Sequence, residues 1–306
     1  MTFGFRLKFD MPPGREFAGA APRRRLHLGE MTGRIYLHRL PKPRKFRLDA
    51  RTRFAAVGKS FASEAEATDV GRRIQIAFAF FAAERQLGID IQDRGGSSVS
   101  QSIKDSIAKE HGVHIRDDVH GLDVYSESHP VQRFGAEGYF SVNVRIVNYE
   151  ERLQAYFAKP LRLTDKQALA LSLYNASHFD SASRSRFLTL VTVVEILADR
   201  KIRSSQERTL LQSFKTQCKE ADLALADRQS LLNALGNIVK RSIGDACAAL
   251  IATQGSAADA TYFRACYKAR SELVHTGHTS SSEPLDPTKL DALVARVLVR
   301  TIAGEV

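Results

Sequence analysis

Cysteine is scarce in this 306-residue chain, and long hydrophobic runs are missing altogether. Cys218, Cys247 and Cys266 lie well apart, have no metal-ligand spacing and leave an odd count, which argues against a disulfide framework and reads as reduced core thiols. No stretch approaches the roughly 18 consecutive apolar residues of a membrane span. Even the greasiest segment, Ile74 to Ala83, is bracketed by Arg73 and Glu84. Arg6, Lys8 and Asp10 break up the first ten residues, so the apolar core of a secretory signal is absent. The expected location is therefore the cytoplasm, with no membrane partner. A phosphate-binding loop is also excluded: Gly58-Lys59-Ser60 could end one, but Arg53 occupies the position of its first glycine. His111, His114 and His120 are scattered around Asp117 and Asp118 with no spacing that converges them, so no metal is expected.

Positive charge, by contrast, is plentiful and unevenly placed. The chain carries a formal net charge of +11, and 43% of its residues are apolar, enough for sizeable buried cores. The first 60 residues hold 15 Lys and Arg against 4 Asp and Glu, while the remaining residues balance at 30 of each. A concentrated basic segment attracts polyanions and speeds their encounter, which suits nucleic acid as a partner. Its densest cluster, Arg23-Arg24-Arg25, is the candidate nucleic-acid contact. The alternative is a solvated basic face without a ligand.

Length favours two domains. The expected division is a mixed α/β domain over 1–159 and an all-α bundle over 160–306. In the first, Phe3, Phe5, Leu7 and Phe9 alternate with polar or small residues as in a half-buried strand. Further strands are expected at 35–40, 46–48, 54–57, 89–91, 122–125 and 139–147, with helices over 63–86 and 99–111. Ser63 and Glu66 fit a capping box at the start of the former. Beyond Pro160 strand signals vanish. Thr164 with Gln167 and Ser204 with Glu207 open helices, another runs over 183–199, and Asp227 caps one that breaks near Gly244. A helix from about Ala258 stops at Gly277, and the last begins with Asp286 and Pro287. The expectation is a bundle of five or six helices.

Within the helix that stops at Gly277 lies Tyr267-Lys268-Ala269-Arg270-Ser271-Glu272-Leu273-Val274-His275-Thr276-Gly277. An aromatic, then Arg-Ser, two apolar residues, His and a small residue with Gly resembles the signature of the HEPN superfamily, in its Apea-like branch. Upstream, the apolar helix Arg186 to Leu197, with Glu195 near its end, is similar to the equivalent helix of that branch. The resemblance covers roughly 160–304. It implies an all-α fold and a ribonuclease that cuts RNA without metal or other cofactor, as a homodimer that brings two motifs together. It also implies toxin-like or antiviral-defence roles, in which an inhibitory or sensor partner protein is possible.

The chemistry can be stated independently of the family. Cleavage through the RNA's own 2′-hydroxyl needs a group that moves a proton near neutral pH and a fixed cation for the charge developing on phosphate. His275 suits the first task and Arg270 the second. Ser271 is a candidate for holding phosphate and Glu195 for orienting Arg270. On a helical wheel Tyr262, Cys266, Ala269 and Leu273 form one stripe, with Arg270 about 80° to one side of it and His275 about 140° to the other. They share no face, so either the helix unwinds before Gly277 or the site is composite across a two-fold axis. Two other readings stay open: a catalytically silent module that binds RNA or nucleotide and dimerises, with Arg270 paired to an acidic neighbour and His275 capping the helix, or an interaction protein whose basic segment docks an acidic partner.

Overall fold

In the computed structural model of the chain, the described residues are 2–13, 15–17, 23–29, 33–40, 52–91, 104–105, 108–110, 114–116, 119–128, 131–133, 144–146, 148–180, 182–278 and 286–304. They fall into two compact units, residues 1–189 with 298–306 and residues 190–297. An antiparallel sheet leads the chain and helices follow. The expected strand at 46–48 and the turn at Gly95-Gly96 lie outside the described residues, as do most of the expected helix at 99–111 and of the expected strand at 139–147.

The first unit is built on a five-stranded sheet in the order β3-β4-β5-β1-β7. These strands are β1 (Phe3–Met11), β3 (Arg24–Leu26), β4 (Arg34–Arg39), β5 (Thr52–Phe61) and β7 (Gly121–Ser126). Two short parallel pairs accompany it, β2 (Arg15–Phe17) with β9 (Val144–Ile146) and β6 (His114–Arg116) with β8 (Val131–Arg133). β1 is central, antiparallel to β5 on one side and to β7 on the other. That position explains why Phe5, Leu7, Phe9 and Met11 are all fully buried. Gly58 faces Phe5 in the register of β1 and β5, and a Cβ there would lie 2.1 Å from the Phe5 ring. Gly58-Lys59-Ser60 is therefore strand, with its glycine present to admit a ring.

Helix α1 (Glu64–Glu84) packs on this sheet. The Ser63 side chain accepts from the Glu66 N–H at 3.1 Å, and Glu66 in turn accepts from the Ala62 N–H. Its buried face, with Ile74, Phe78 and Phe81, meets an aromatic cluster. Phe78 is 4.9 Å from Phe9 between ring centroids, Phe9 stacks on Phe54 at 5.7 Å, and Phe17 meets Phe54 edge-on at 5.1 Å. Such pairs add to the burial of large rings.

Two further helices complete the unit's core, and the first had no counterpart among the expected elements. Helix α2 (Tyr149–Ala158) buries Tyr149, Leu153, Tyr156 and Phe157, a helical spacing. Tyr149 packs edge-on against Phe17 at 4.7 Å, Tyr156 stacks on Phe80 at 5.5 Å, and Arg152 pairs with Glu84 of α1. Helix α3 (Asp165–Ser177) opens on the Thr164–Gln167 capping box. It belongs to the first unit by packing, through Asn175, whose Nδ2 donates to Ala79 O of α1 at 3.3 Å.

Helices α4 (Ser183–Leu197), α5 (Ser205–Glu220), α6 (Leu225–Asn237), α7 (Ile243–Gln254), α8 (Ala257–Thr276) and α9 (Pro287–Ala303) follow. The break expected near Gly244 falls at 238–242, where Ser242 caps α7 with its side chain accepting from the Asp245 N–H, and Asp227, expected as a cap, lies inside the first turn of α6, whose N-cap is Ala224. The core of the second unit takes Leu190, Val191 and Val194 from α4, Cys247 and Ile251 from α7, Phe263 and Cys266 from α8, and Leu293 and Val294 from α9. Cys218 departs from expectation: it sits on α5 only half-buried, because that helix buries Leu211 alone.

At the end of α3, His178 is held between the Tyr174 ring, edge-on at 5.2 Å, and Arg186 Nη2, 3.2 Å from its Nδ1. Burial, with the Arg186 and Arg15 guanidinium groups adding repulsion, pushes its pKa down to about 3. The folded chain thus refuses a proton that the unfolded chain accepts below about pH 6.5. Stability falls as pH drops from 6.5 towards 3, by about 1.4 kcal/mol per pH unit from this one group, and falls no further below that window. Thermal melts of the His178→Gln variant over pH 7 to 4 should have a flatter slope than those of the parent; identical slopes would mean that His178 titrates alike in both states.

Candidate functional site

Helix α8 owes its rotation to contacts with three neighbouring helices of the second unit. Its inward stripe is Ala260, Phe263, Cys266 and Ala269. Tyr262 and Leu273, expected on that stripe, are instead only half-buried. Towards α7, Arg264 Nη1 lies 3.0 Å from Asp245. Towards α9, Tyr262 Oη donates to Asp286 O at 2.8 Å, Lys289 Nζ sits 4.3 Å from the Tyr262 ring centre, and Arg296 pairs with Asp259 at 3.3 Å. Towards α4, Arg270 Nη2 donates to Glu195 Oε2 at 3.3 Å. Arg270 lies seven positions after Phe263, within about 20° of it around the axis, so it continues the inward stripe towards α4.

The Glu195 and Arg270 side chains are 16% and 27% exposed, a pair sheltered from water but reachable at its outer edge. Burial raises the Glu195 carboxyl above its ordinary value, and the Arg270 guanidinium opposes that rise. Tyr267 and Cys247 lie in the same field. Burial first and the Glu195 charge second push the Cys247 thiol up to about 12, and the same two causes raise the Tyr267 hydroxyl. Cys247 is therefore a protonated core thiol with no nucleophilic character at neutral pH. Its place beside Glu195 was not legible in the sequence, since only the packing of α7 on α8 brings it there.

His275 stands on the last turn of α8 and is exposed, as is Val274 beside it. The helix continues to Thr276 and closes with Gly277 at φ 79°, its N–H donating to Leu273 O at 3.0 Å. This left-handed stop suits glycine. Of the two geometries considered for the motif, unwinding before Gly277 is thus absent. Arg270 and His275 are separated by about 140° and about 7.5 Å along the axis. A contact between Arg270 and an acidic neighbour is common to the catalytic and the silent reading. Ser271 is half-buried between them in sequence.

The basic cluster does not form one patch. Arg23 lies over the Tyr36 ring at 3.6 Å, Arg24 is ion-paired with Glu150, and Arg25 is exposed. Arg24 and Arg25 are neighbours in β3, where successive side chains leave opposite faces. Of the histidine group, His111, Asp117 and Asp118 lie outside the described residues; His120 is buried, with Nε2 4.0 Å from Asp90. Among the described residues no set of three His, Cys, Asp or Glu side chains could hold a metal ion, and no helix is long and apolar enough to cross a membrane.

No known protein family, curated protein or solved structure matches this chain.

The Glu195–Arg270 contact makes a thermodynamic prediction. Glu195→Gln and Arg270→Gln should each destabilise the chain by about 1–3 kcal/mol, because each leaves the partner charge sheltered and alone. The double variant should lose clearly less than the two single losses combined. Additive losses in urea unfolding would show that the two side chains do not interact.

Proposed function

We propose that the chain is a metal-independent endoribonuclease in which two copies of the second unit assemble the cutting site. The observation that carries this reading is the sheltered Glu195–Arg270 pair. A carboxylate on α4 fixes a guanidinium that has five donors and spends one of them on it, leaving others for phosphate oxygens. His275, exposed one and a half turns further along α8, supplies an imidazole that can take up or give a proton. In the proposed reaction the RNA 2′-oxygen attacks the adjacent phosphorus and the 5′-oxygen leaves. His275 takes the proton of the attacking 2′-hydroxyl, the departing 5′-oxygen takes one from water, and Arg270 holds the charge that builds on the phosphate. Ser271 adds a hydroxyl to the phosphate contacts.

Because His275 and Arg270 of one α8 point apart, the arrangement favours Arg270 of one copy facing His275 of another. Support for self-association comes from α5 and α6. Among the described residues α5 buries only Leu211 and α6 buries none. Leu210, Phe214, Leu225 and Leu231 are exposed there, a concentration of apolar surface that marks an interaction face. The protein is proposed to act in the cytoplasm, in a toxin-like or antiviral-defence role in which a second protein could inhibit or trigger it. In this scheme Arg23, Arg24 and Arg25 contribute sequence-independent attraction for RNA. A second reading, a silent RNA- or nucleotide-binding and dimerisation module, takes the Glu195–Arg270 pair as a strut between α4 and α8.

Purified chain with EDTA should cut single-stranded RNA, leave DNA of the same sequence intact, and yield 2′,3′-cyclic phosphate and 5′-hydroxyl ends. His275→Ala and Arg270→Ala should each lower the rate by about 10²–10⁴-fold. His275→Ala should leave the melting temperature unchanged, since its side chain fills no core. Full activity in His275→Ala, or cleavage only with added Mg²⁺, would overturn this mechanism, and absence of cleavage would leave the silent module. Light scattering should give a mass near twice 34.0 kDa, and Phe214→Asp should return it to 34.0 kDa. A parent chain that is already monomeric at micromolar concentration would remove the composite site.

A further inference from the structure

The first unit contains a cavity of about 640 Å³ between α1, the segment 89–91 and the stretch 161–179. That is a usual size for a small-molecule site. Apolar side chains make up much of its walls, with Ile76, Leu163, Leu171 and Phe179 among them. Into this apolar setting comes Asn175, only 3% exposed. Its Nδ2 is fully used, donating to Ala79 O at 3.3 Å and to Leu171 O at 3.0 Å. Its Oδ1, also buried, has no hydrogen-bond partner among the described residues. A buried carbonyl without a donor is uncommon, and where it lines a cavity it is the natural mark for a ligand N–H or O–H.

The charged residues of the cavity divide in two. Arg73 is committed, its Nη2 donating to Phe157 O at 2.8 Å and its Nη1 lying 4.0 Å from Asp69. Asp90 is buried and faces His120 at 4.0 Å. Arg72 and Arg162 are exposed and form no ion pair among the described residues. The cavity therefore offers a mainly apolar lining, one lining residue with an orphaned acceptor, and two exposed guanidinium groups that form no ion pair among the described residues. We propose that it binds a small aromatic anion whose ring carries an N–H or O–H. The ring would lie among the aliphatic walls with its donor on Asn175 Oδ1, and the carboxylate or phosphate on Arg72 and Arg162. An aromatic heterocycle is the simplest body that is apolar over its faces yet donates in its plane. Guanidinium groups bind either anion in the same forked manner. This inference does not depend on RNA cleavage.

Calorimetric titration of the full chain with indole-3-carboxylate, indole-3-acetate and indole-3-propionate, which place the carboxylate at three distances from the ring N–H, tests the proposal. At least one should bind one-to-one with a Kd below about 1 mM. Its N-methyl derivative, which lacks the ring donor, and its amide, which lacks the charge, should each bind about tenfold more weakly. 3-Indoxyl phosphate forms a parallel arm, and the tighter of phosphate and carboxylate identifies the anion. Arg72→Ala with Arg162→Ala should abolish the preference for the acid over the amide. Both residues are exposed, so this variant keeps the fold even where Asn175→Leu does not. Ala168→Trp, at an exposed position lining the cavity, should block every probe. Absence of binding by all of these acids, equal binding of the N-methyl compound, or an acid preference that survives loss of both arginines would each overturn the proposal.

Discussion

A carboxylate that is five-sixths sheltered from water must find a cation, and in the second unit that constraint falls on Glu195. The helix carrying it is otherwise strongly apolar, with Leu190, Val191, Val193 and Val194 fully buried. The charge therefore arrives at the core with its helix, and α8 must answer it. Turning Arg270 towards α4 fixes the rotation of α8, which sends Phe263, Cys266 and Ala269 inward and leaves His275 outside. The raised pKa values of Tyr267 and Cys247 follow from the same packing, since both share the shelter and the field of Glu195. This ion pair, together with the contacts of α8 to α7 and α9, sets which residues of the motif face protein and which face solvent.

The two units spend their apolar residues differently. In the first, rings from β1, β2, β5, α1 and α2 interlock, and a cavity with a single orphaned acceptor is preserved beside them. In the second, small and branched residues fill the core while α5 and α6 keep theirs on the outside. The first arrangement suits a preformed pocket, because close-packed aromatics hold its walls still. The second suits association, because surface apolar groups gain most by meeting another surface.

Local signals were legible at several helix starts where a side chain closes its own backbone, though the Ser242 and Ser256 caps were not foreseen. Thr164 with Gln167 and Ser204 with Glu207 form the capping boxes their spacing announces, and Asp286 Oδ1 accepts from the Thr288 N–H at 2.9 Å. Helix α2 escaped notice because it begins at Asn148, in a left-handed conformation at φ 54° without a side-chain cap bond. Strands of three residues, such as β3, are too short for alternation to register. Of the site, Glu195 was expected to orient Arg270 and does lie within hydrogen-bond distance of it, a contact common to the catalytic and the silent reading. The inward place of Phe263 was not, since a wheel drawn without neighbours fixes the spacing of a stripe and not its centre. The cavity was illegible for a different reason: its lining comes from stretches some 90 residues apart in the chain, 69–91 and 161–179.

The encounter of Phe5 with Gly58 has a bearing on how this sequence can drift. The ring lies where the smallest side chain at 58 would stand, 2.1 Å from that site, so neither position is free while the other is held. A larger residue in β5 becomes admissible only after the ring in β1 has been cut back, and the intermediate with both bulky groups is barred. Homologues should therefore vary at 5 and 58 as a linked pair in a fixed order of substitution, a covariation signal at the centre of the sheet.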